Sequence, residues 1–492
     1  MSTLPMLESC VQFPIDDKTL LEVVPKAKDW ALMHGAAMRS KTKFSPDALN
    51  FAPFILTPSS FPRKEFEKAV DLQCILNELM HFVAHDDEFL TTTLAETIKV
   101  DEFTRNLFNV YKKVLANGIK QPLSLGLIRS DLMLETCCPE ITGKKCAYCC
   151  WKQVEINTIA SGFGHLGPAS KAIQSFVLQE LGHSDKISQM PENKALSGLC
   201  GGMIKAWELY GNPKAIILFV IEDISYNICD QRFHEFYIRE NNPNINVVRK
   251  TLTEIHAQGK LGKNNELLID GQEVSVVYFR AGYEPGHYHS QNEWDARYLV
   301  ECSRAIKSPS IHYHLAGTKK VQQALATPGI LERFITDPEK VKAIGKIFTG
   351  LYSLDANEQG IASYEMALKD PERFVLKPQR EGGGNNVYGA DIPDALKSMS
   401  SVERSAWILM ERIHPPITKG YMIRPDGQMP PPLVDLVSEL GIFGVIIGDA
   451  KTININYQAG HMLRTKLSTA NEGGVAAGLG ALDSPYLLDN CC

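Results

Sequence analysis

The sequence predicts an α/β protein with mixed sheets flanked by helices and a helical N-terminal region. Three observations predict this class. Apolar residues recur at helical spacing from about residue 16 to 118, and short buried strands alternate with helices through the middle of the chain. Strands and glycine-rich loops dominate the last third. The length of 492 residues fits about two to four domains.

Composition and charge exclude several classes of function. The chain is 44% hydrophobic and 22% charged, as globular proteins are, and its net charge of -6 argues against a nucleic-acid or anionic-membrane partner held by bulk charge. No apolar run approaches the roughly 18 residues of a membrane helix. The first ten residues contain no basic residue and no sustained apolar run. We therefore expect no secretory signal and a cytoplasmic enzyme.

The N-terminal region gives packing but no chemistry. Apolar residues at helical spacing run through residues 20–38, 64–83 and 103–114, with charged residues on the opposite face. Later in the chain, residues 171–182 and 196–209 follow the same pattern. These segments are predicted to be structural helices.

A strand over residues 153–159 carries the first candidate metal ligands. Because side chains alternate on a strand, Glu155 and Asn157 share one face. A carboxylate and an amide oxygen together suit Mg²⁺. A solvated polar face on an edge strand explains this fragment equally well.

Residues 214–317 are predicted to form a separate α/β unit of parallel type. The apolar runs 215–221 and 274–279 indicate buried strands, and Arg280 follows the second one. An arginine at a strand end is well placed to hold a substrate carboxylate with two hydrogen bonds. For any single arginine, an ordinary surface position is the more common case.

The stretch from Phe374 to Gly389 is the strongest local signal. A short buried strand delivers Lys377 to its end, and Glu381 and three consecutive glycines follow. Glycines allow the backbone to take positive φ and to approach a bulky ligand closely. A cation and a carboxylate beside them suit a phosphate with its metal ion. A glycine-rich hairpin turn is the alternative for this stretch alone.

The C-terminal part adds strands with polar residues in apolar surroundings. Residues 407–413 form an apolar strand whose backbone is predicted to face a nucleobase edge. Glu439 is an isolated acid among apolar neighbours, which is costly unless it is paired or bound to metal. Arg464 and Lys466 lie on one strand face, and residues 473–478 form a second loop of small residues.

Cysteine and histidine residues offer two further candidate metal sites. Two His-x-His pairs, at 287/289 and 312/314, have no acidic partner at a telling spacing, so we expect no metal there. A cysteine cluster has one pair at zinc-knuckle spacing, but free thiols are favoured in a cytosolic protein. The cluster consists of Cys137, Cys138, Cys146, Cys149 and Cys150.

Taken together, these features indicate a nucleotide site of unusual architecture. The sequence contains no Walker motif, no Rossmann fingerprint and no kinase catalytic loop. Magnesium ligands combined with arginines for a carboxylate suggest that the protein activates this carboxylate by phosphorylation.

The sequence resembles the eukaryotic-type glutathione synthetases of the ATP-grasp superfamily. The matching pieces run in family order from about residue 120 to the end. They are residues 129–131, 155–159, 206–211, 227–232, 278–283, 315–323, 377–389, 438–444, 463–466 and 473–478.

The resemblance implies a circularly permuted α+β ATP-grasp fold and a homodimer. The implied reaction joins γ-glutamylcysteine to glycine with ATP and two Mg²⁺ ions per active site, without nucleic-acid or membrane partners. The implied division is an N-terminal region and first part of the ATP-grasp body (1–213), an inserted substrate domain (214–317) and the C-terminal part (318–492). The last part contains a lid at about 351–434, with the glycine-rich loop 379–389, and a second loop at 468–480.

The resemblance also assigns roles to residues. The implied magnesium ligands are Glu155, Asn157 and Glu381, and the implied catalytic residues are Arg129, Arg464, Gly383 and Gly384. The implied ATP-binding residues are Glu155, Lys319, Lys377, Gln379, Glu381, Gly382, Gly383, Gly384, Asn385, Asn386, Tyr388, Met410, Glu411, Arg412, Ile413, Glu439, Lys466 and Glu472. The implied substrate-binding residues are Arg129, Ala160, Ser161, Gly162, Phe163, Ser225, Tyr226, Asn227, Gln231, Arg280, Ala281, Gly282, Tyr283, Arg464, Val475 and Ala476.

The chain departs from the family pattern at several of these positions. Ala160 and Gly162 stand where the family tends to have serines, and Ser225 stands where an acid is often found. Arg412 replaces a common lysine. These departures leave two alternatives open: a related ligase with an altered acceptor, and a non-catalytic nucleotide-binding member.

Overall fold

The structure is a computed structural model that describes residues 6–136, 148, 150–380, 384–471, 475 and 479–489. No helix in these residues is long and apolar enough to cross a membrane. The helices are α1 (Asp17–Met33), α2 (Arg63–Ala84), α3 (Asp87–Leu94), α4 (Thr97–Val100), α5 (Glu102–Asn117), α6 (Leu166–Glu180), α7 (Ala195–Tyr210), α8 (Ile228–Asn241), α9 (Leu252–Gln258), α10 (Gln291–Glu301), α11 (Ile311–Ala316), α12 (Lys319–Leu325), α13 (Pro338–Ile347), α14 (Glu358–Lys369) and α15 (Ile392–Ser398).

The strands belong mainly to three sheets. They are β1 (Ala37–Met38), β2 (Asn50–Phe51), β3 (Phe54–Ile55), β4 (Ser59–Pro62), β5 (Ser124–Glu135), β6 (Cys150–Asn157), β7 (Ile216–Val220), β8 (Val247–Lys250), β9 (Gly259–Leu261), β10 (Leu267–Ile269), β11 (Gln272–Phe279), β12 (Ile306–Ser308), β13 (Leu351–Ser353), β14 (Phe374–Pro378), β15 (Val387–Tyr388), β16 (Trp407–Glu411), β17 (Thr418–Ile423), β18 (Leu433–Gly448), β19 (Ile453–Leu467), β20 (Gly480–Asp483) and β21 (Pro485–Leu488).

A seven-stranded sheet in the order β17–β3–β20–β19–β18–β5–β6 forms the centre of the molecule. Its strands pair antiparallel except β20 with β3. On β18, Ile442 and Ile446 share a core with α2, whereas Phe443 and Val445 share a core with α7 on the opposite face. Because both faces of residues 440–447 are buried, this part of β18 is apolar without interruption.

Two smaller sheets lie beside the central one. The first has six strands in the order β8–β7–β11–β10–β9, with β12 also pairing with β11. In this sheet β8, β7, β11 and β12 run parallel to one another, as predicted. Strands β9 and β10 form an antiparallel hairpin that extends the sheet from β11. The second sheet has four antiparallel strands in the order β13–β16–β14–β15. The six-stranded sheet lies within residues 214–317, but the domain boundaries themselves stay a prediction.

The N-terminal region is helical from α1 to α5, with one exception. Residues 34–62 form β1 to β4 instead of helix. Gly35 has a φ of +73° just after α1, and Pro53, Pro58 and Pro62 interrupt any helix that would follow. Strands β3 and β4 gain their partners from the C-terminal strands β17, β20 and β21, which no local pattern could reveal.

The sequence pattern predicts a single amphipathic helix that begins at Leu315 and continues to Ala326, but the structure has two helices here. The helical conformation is interrupted at Gly317 and Thr318, between α11 and α12. A side chain at Gly317 would lie only 2.3 Å from Thr158 Oγ1, so the break packs directly against the chain after β6. As a result, Lys319 lies in the first turn of α12 and faces the central sheet.

Buried histidines connect α2 and α11 to the turn between β18 and β19. His81 Nδ1 lies 2.6 Å from the Tyr313 hydroxyl, and its Nε2 lies 2.8 Å from the backbone oxygen of Asp449. The ring of His85 lies 4.5 Å from that of His81 and 4.8 Å from that of His312. Burial, reinforced by His85, lowers the pKa of His81 to about 4, so this histidine is neutral at neutral pH.

We expect this histidine to make the fold sensitive to acid. Because the pKa of His81 falls from 6.5 to about 4 on folding, the unfolded chain binds more protons in this range. Stability is then lost as the pH falls from 6.5 to 4, by an amount on the order of 3 kcal/mol. Thermal unfolding across this pH range measures the effect. His81→Gln should give a flatter profile than the wild type, whereas His34→Gln, at an exposed histidine, should not; equal slopes for all three proteins would contradict the assignment.

Candidate active site

A cavity of about 650 Å³ lies between the seven-stranded and four-stranded sheets. The central sheet supplies one wall from four adjacent strands, β6, β5, β18 and β19. Strands β14, β15 and β16 of the smaller sheet supply the other wall. The residues that line it come from distant parts of the sequence, from Arg129 to Asn471.

Strand register places the polar side chains of the central sheet on one face. Asp131 lies opposite Glu155 on β6, and Arg129 lies opposite Asn157. On the other side, Asp131 lies opposite Gly441 of β18, and Glu439 two residues earlier lies opposite Arg464 of β19. Since side chains opposite each other in a ladder point the same way, the predicted ligands of four strands converge.

Asp131 connects these groups. It accepts hydrogen bonds from Arg129 Nε at 2.6 Å and Nη2 at 2.7 Å, and from Asn157 Nδ2 at 3.0 Å. Arg464 pairs with Glu439 and lies 3.9 Å from Asp131. Arg129 and Asp131 are both buried, so the carboxylate fixes a cation that has almost no contact with solvent.

Gly441 makes this arrangement possible. It lies on β18 directly opposite Asp131. A Cβ atom at this position would lie 2.9 Å from Arg129 Cδ, from Asp131 Oδ1 and from Met462 Cε. The Arg129–Asp131 ion pair, which runs along β5, therefore packs against a residue of β18 that has no side chain.

Glu155 and Lys377 meet at a β-bulge. Asp131 pairs with Glu155 but Leu132 pairs with Gln153, which leaves Val154 as an extra residue on β6. The carbonyl of Val154 accepts a hydrogen bond from Lys377 Nζ at 3.0 Å. The bulge thus links the central sheet to β14 of the smaller sheet.

Two lysines control the charge of Glu155. Lys319 Nζ lies 2.9 Å from Glu155 Oε2. Burial alone would raise the pKa of Glu155, but Lys319 and Lys377 outweigh it and hold this pKa well below its ordinary range. The group is therefore a carboxylate at any physiological pH, as a metal ligand must be.

The second wall contains the predicted nucleotide contacts of β14 to β16. Tyr388, Met410 and Ile413 line the cavity. The backbone N–H groups of Glu411 and Arg412 donate to the carbonyls of Gly350 and Arg373, at 2.8 Å each. These two donors are therefore engaged within the protein, and the predicted contact of this strand with a nucleobase falls to its remaining backbone groups.

Arg280 anchors the opposite end of the cavity. Its Nη2 lies 3.3 Å from Asp230 Oδ2, and both side chains are buried. Asp230 also accepts hydrogen bonds from the backbone N–H groups of Phe163 at 2.9 Å and His165 at 3.0 Å. One carboxylate thus holds both an arginine and the loop of residues 160–165, in which Ala160 (φ 51°) and Phe163 (φ 78°) adopt the left-handed conformation.

Most predicted site residues that the structure describes line the cavity. They are Arg129, Glu155, Asn157, Ala160, Gly162, Phe163, Asn227, Arg280, Tyr283, Lys377, Asn385, Asn386, Tyr388, Met410, Glu411, Arg412, Ile413, Glu439, Arg464 and Lys466. Lys319 and Gln379 instead line an adjoining space of about 20 Å³. Gly384, the described member of the three glycines, has a φ of +80°, as the loop prediction required.

Several predicted residues lie behind the cavity wall. Ser161 donates to the Leu127 carbonyl at 2.8 Å, so its side chain points away from the cavity. Arg249 donates to Ser225 at 3.1 Å and to Gln231 at 2.7 Å. Seven predicted substrate-binding residues that the structure describes do not line the cavity. They are Ser161, Ser225, Tyr226, Gln231, Ala281, Gly282 and Val475.

Some predictions lie outside the described residues. These are Glu381, Gly382, Gly383, Glu472 and Ala476, together with Cys137, Cys138, Cys146 and Cys149 of the cysteine cluster. Among the residues that the structure does describe, no group of three or more His, Cys, Asp or Glu side chains is arranged to hold a metal ion.

The cavity also contains residues that were not predicted. Arg380, His414 and Asn471 line it, and the buried Asp131 and Asp230 organise its arginines. Both aspartates lie next to predicted site residues, Asp131 in the motif 129–131 and Asp230 in the motif 227–232. For Asp131 the sequence did contain a signal, because this acid follows Arg129 by two positions on one buried strand.

Comparison with known proteins identifies the family. A family model for eukaryotic glutathione synthase, ATP binding domain, matches residues 17–487. The chain is 44% identical over 474 residues to the glutathione synthetase of Homo sapiens and 43% identical over 476 residues to that of Xenopus laevis. Each match covers 96% of this chain and 98% of the relative. The chain belongs to the eukaryotic glutathione synthetase family.

The match extends to other kingdoms and to a solved structure. The chloroplastic glutathione synthetase of Solanum lycopersicum is 39% identical, with 96% of this chain and 85% of the relative covered. The apo structure of a glutathione synthetase-like effector from Globodera pallida superposes with a TM-score of 0.77 at 28% identity, covering 98% of this chain and 100% of that one. The predicted family, its mixed α/β fold and its class, an ATP-dependent ligase, are confirmed.

Gly441 allows a direct test of how the Arg129–Asp131 ion pair is packed. Gly441→Ala should lower stability by about 2 kcal/mol, because the new methyl group overlaps buried atoms of Arg129 and Asp131. It should also reduce ligase activity, since Arg129 must move. Gly345→Ala is the matched control, because this exposed helical glycine has no atom within 4 Å of the added Cβ. Thermal unfolding and kcat/KM measure both variants, and equal values for the two would contradict the packing argument.

Proposed function

We propose that this family member is an active glutathione synthetase. It would ligate γ-L-glutamyl-L-cysteine to glycine, with ATP converted to ADP and phosphate through an acyl phosphate. The convergence of Arg129, Arg280 and Arg464 with Lys377 and Lys466 in one cavity carries this proposal. Such a set matches a substrate carboxylate at one end and a triphosphate at the other.

The proposed reaction has two steps. A carboxylate oxygen of the cysteinyl residue attacks the γ-phosphorus of ATP, and ADP leaves. The glycine amine then attacks the acyl carbon, loses a proton and expels phosphate. Lys377, fixed at the bulge of β6, and Lys319 would offset the negative charge that accumulates on the transferred phosphoryl group.

Arginines would position the dipeptide for this attack. Arg280, held by Asp230, and Arg129, held by Asp131, are cations whose geometry is set before the substrate arrives. Fixed donors stabilise developing charge without reorganising during the reaction. The two walls of the cavity would exclude water, which matters because water hydrolyses an acyl phosphate.

The donor set fits Mg²⁺. Glu155 is held ionised, and Asn157 donates its amide N–H to Asp131, so its oxygen is the group left for a cation. With Glu381, these residues would hold the metal, which supplies neutralisation of the phosphate oxygens when bound. The number of two ions per active site comes from the family resemblance.

Further parts of the proposal rest on the same resemblance. These are a homodimer, a cytoplasmic location, the circular permutation of the ATP-grasp body and its division at residues 213 and 317. The lid at about 351–434 corresponds to the segment that contains the four-stranded sheet. The assignments of Gly383, Gly384 and the second loop at 468–480 also belong to this group.

Lys377 provides the test of the nucleotide assignment. Lys377→Ala should reduce kcat/KM by at least about 100-fold, because a fixed cation at the transferred phosphoryl group is lost. Release of ADP that depends on both γ-glutamylcysteine and glycine measures this. Lys419→Ala removes an exposed pair with Asp435 on the same central sheet and should retain full activity. A fully active Lys377→Ala variant would sink the role proposed for this lysine.

The acceptor separates this function from a related ligase. A Cβ atom added at Gly162 would lie 3.4 Å from Arg280 Nη2 and 3.7 Å from Asp230 Oδ2, so a side chain is missing beside this arginine, which is the observation that favours an altered substrate. If the proposal holds, kcat/KM for glycine should exceed that for β-alanine by about tenfold or more, since one methylene separates the two acceptors. Serine should be similarly disfavoured. Preference for either one would indicate the related ligase, and no ADP release at high enzyme concentration would indicate a non-catalytic member.

A further inference from the structure

We infer that Asp101, outside the cavity, is a positioning residue for the nucleotide end of the site and acts through Arg380. This inference rests on the proposed function and adds a residue to it. Arg380 lines the cavity and directly precedes Glu381, the predicted metal ligand. Asp101 belongs to the N-terminal helices, for which the sequence indicated packing alone.

The two oxygens of Asp101 have separate tasks. Oδ1 accepts the backbone N–H of Thr104 at 2.7 Å and caps the N-terminus of α5. Oδ2 accepts Arg380 Nη1 at 2.6 Å. The Asp101 side chain is only 6% exposed, so this ion pair is shielded on its acidic side. Because α5 is packed into a large hydrophobic core, Asp101 is a fixed partner for Arg380.

Arg380 transmits this position to the backbone. The same Nη1 atom also donates to the carbonyl of Gln379 at 2.8 Å. The side chain of Gln379 accepts the backbone N–H of Lys320 at 3.1 Å, in the first turn of α12. Residues 379 and 380 are therefore held between α5 and α12, and α12 also supplies Lys319, which pairs with Glu155.

A second contact fixes the same end of the four-stranded sheet. Thr97 of α4 donates from its hydroxyl to the carbonyl of Ser405 at 3.0 Å, in a buried position. The next residue, Ala406, accepts the backbone N–H of Gln379 at 3.3 Å. Helices α4 and α5 thus contact the segment that leads into β16 and the segment that leads out of β14, so Arg380 occupies a defined position.

A purely electrostatic role and a positioning role of Asp101 predict opposite effects on nucleotide binding when this residue is removed. A lost acid near a polyphosphate site would strengthen nucleotide binding through electrostatics alone. A lost anchor for Arg380 would weaken it, because the groups that contact the phosphates would no longer be held in place before binding. The direction of the change therefore distinguishes a positioning role from a simple charge effect.

Asp101→Asn is the appropriate variant, because asparagine retains the helix cap but loses the charge that holds Arg380. We expect the Kd of ADP with Mg²⁺, measured by calorimetry, to rise about fivefold to tenfold. The KM for ATP should rise equally, while the KM for γ-glutamylcysteine stays within about twofold. Tighter binding, or an unchanged Kd, would overturn the inference.

The chain offers a matched control. Asp86 caps α3 by accepting the backbone N–H of Phe89 at 2.9 Å, and it pairs with Arg333 at 2.6 Å, away from the cavity. Asp86→Asn should reproduce any loss of stability without the change in nucleotide affinity. If both asparagine variants weaken ADP binding equally, the effect of Asp101 is structural and the inference fails.

Arg380→Gln completes a double-mutant cycle. If Asp101 acts through Arg380, adding Asp101→Asn to this variant should change the Kd no further. Additive effects would overturn the inference, as would a large effect of Arg380→Gln beside none of Asp101→Asn. ADP binding needs no turnover. A wild-type chain that binds ADP but forms no glutathione therefore contradicts the proposed function and leaves this test intact.

Discussion

The carboxylate of Asp131 lies where the central sheet presents polar side chains from adjacent strands to the cavity. It holds Arg129 with two hydrogen bonds, orients the amide of Asn157 and lies near Arg464. A buried arginine without such a partner would cost several kcal/mol. Arg129, one of the cations that the proposed reaction needs, can therefore exist in this interior only because this acid is present, and Gly441 leaves the space for the pair.

Strand β5 of the central sheet contributes both to the hydrophobic core and to the candidate active site. On β5, Leu125 and Leu127 pack in the core with α7, and the same face continues as Arg129, which lines the cavity, and Asp131, which holds it. An apolar anchor and a polar site thus share one rigid element. Because groups on a sheet shift little relative to one another, the distances between the candidate ligands are set by register and require no adjustment on binding.

The sequence allowed strong predictions wherever chemistry is local. Glu155 and Asn157 share a face because strands alternate, and Gly384 has positive φ because the loop requires it. Non-local features were out of reach. The strand pairing of residues 54–62 depends on the distant strands β17, β20 and β21, and the helix expected from Leu315 is broken by contact with Thr158. Asp230 was out of reach because its partners lie far away in the sequence, whereas Asp131 follows Arg129 on one strand and could have been found from that spacing.

The bulge at Val154 has a consequence for how this chain can vary over evolution. Lys377 binds the carbonyl of Val154 and not its side chain, so any amino acid at that position can provide the contact. Loss of one residue there would instead move part of β6 to the opposite face of the sheet and separate Gln153 or Glu155 from its partner. Position 154 therefore tolerates any amino acid but not a deletion. The spacing of the neighbouring residues reveals this constraint, and residue conservation does not.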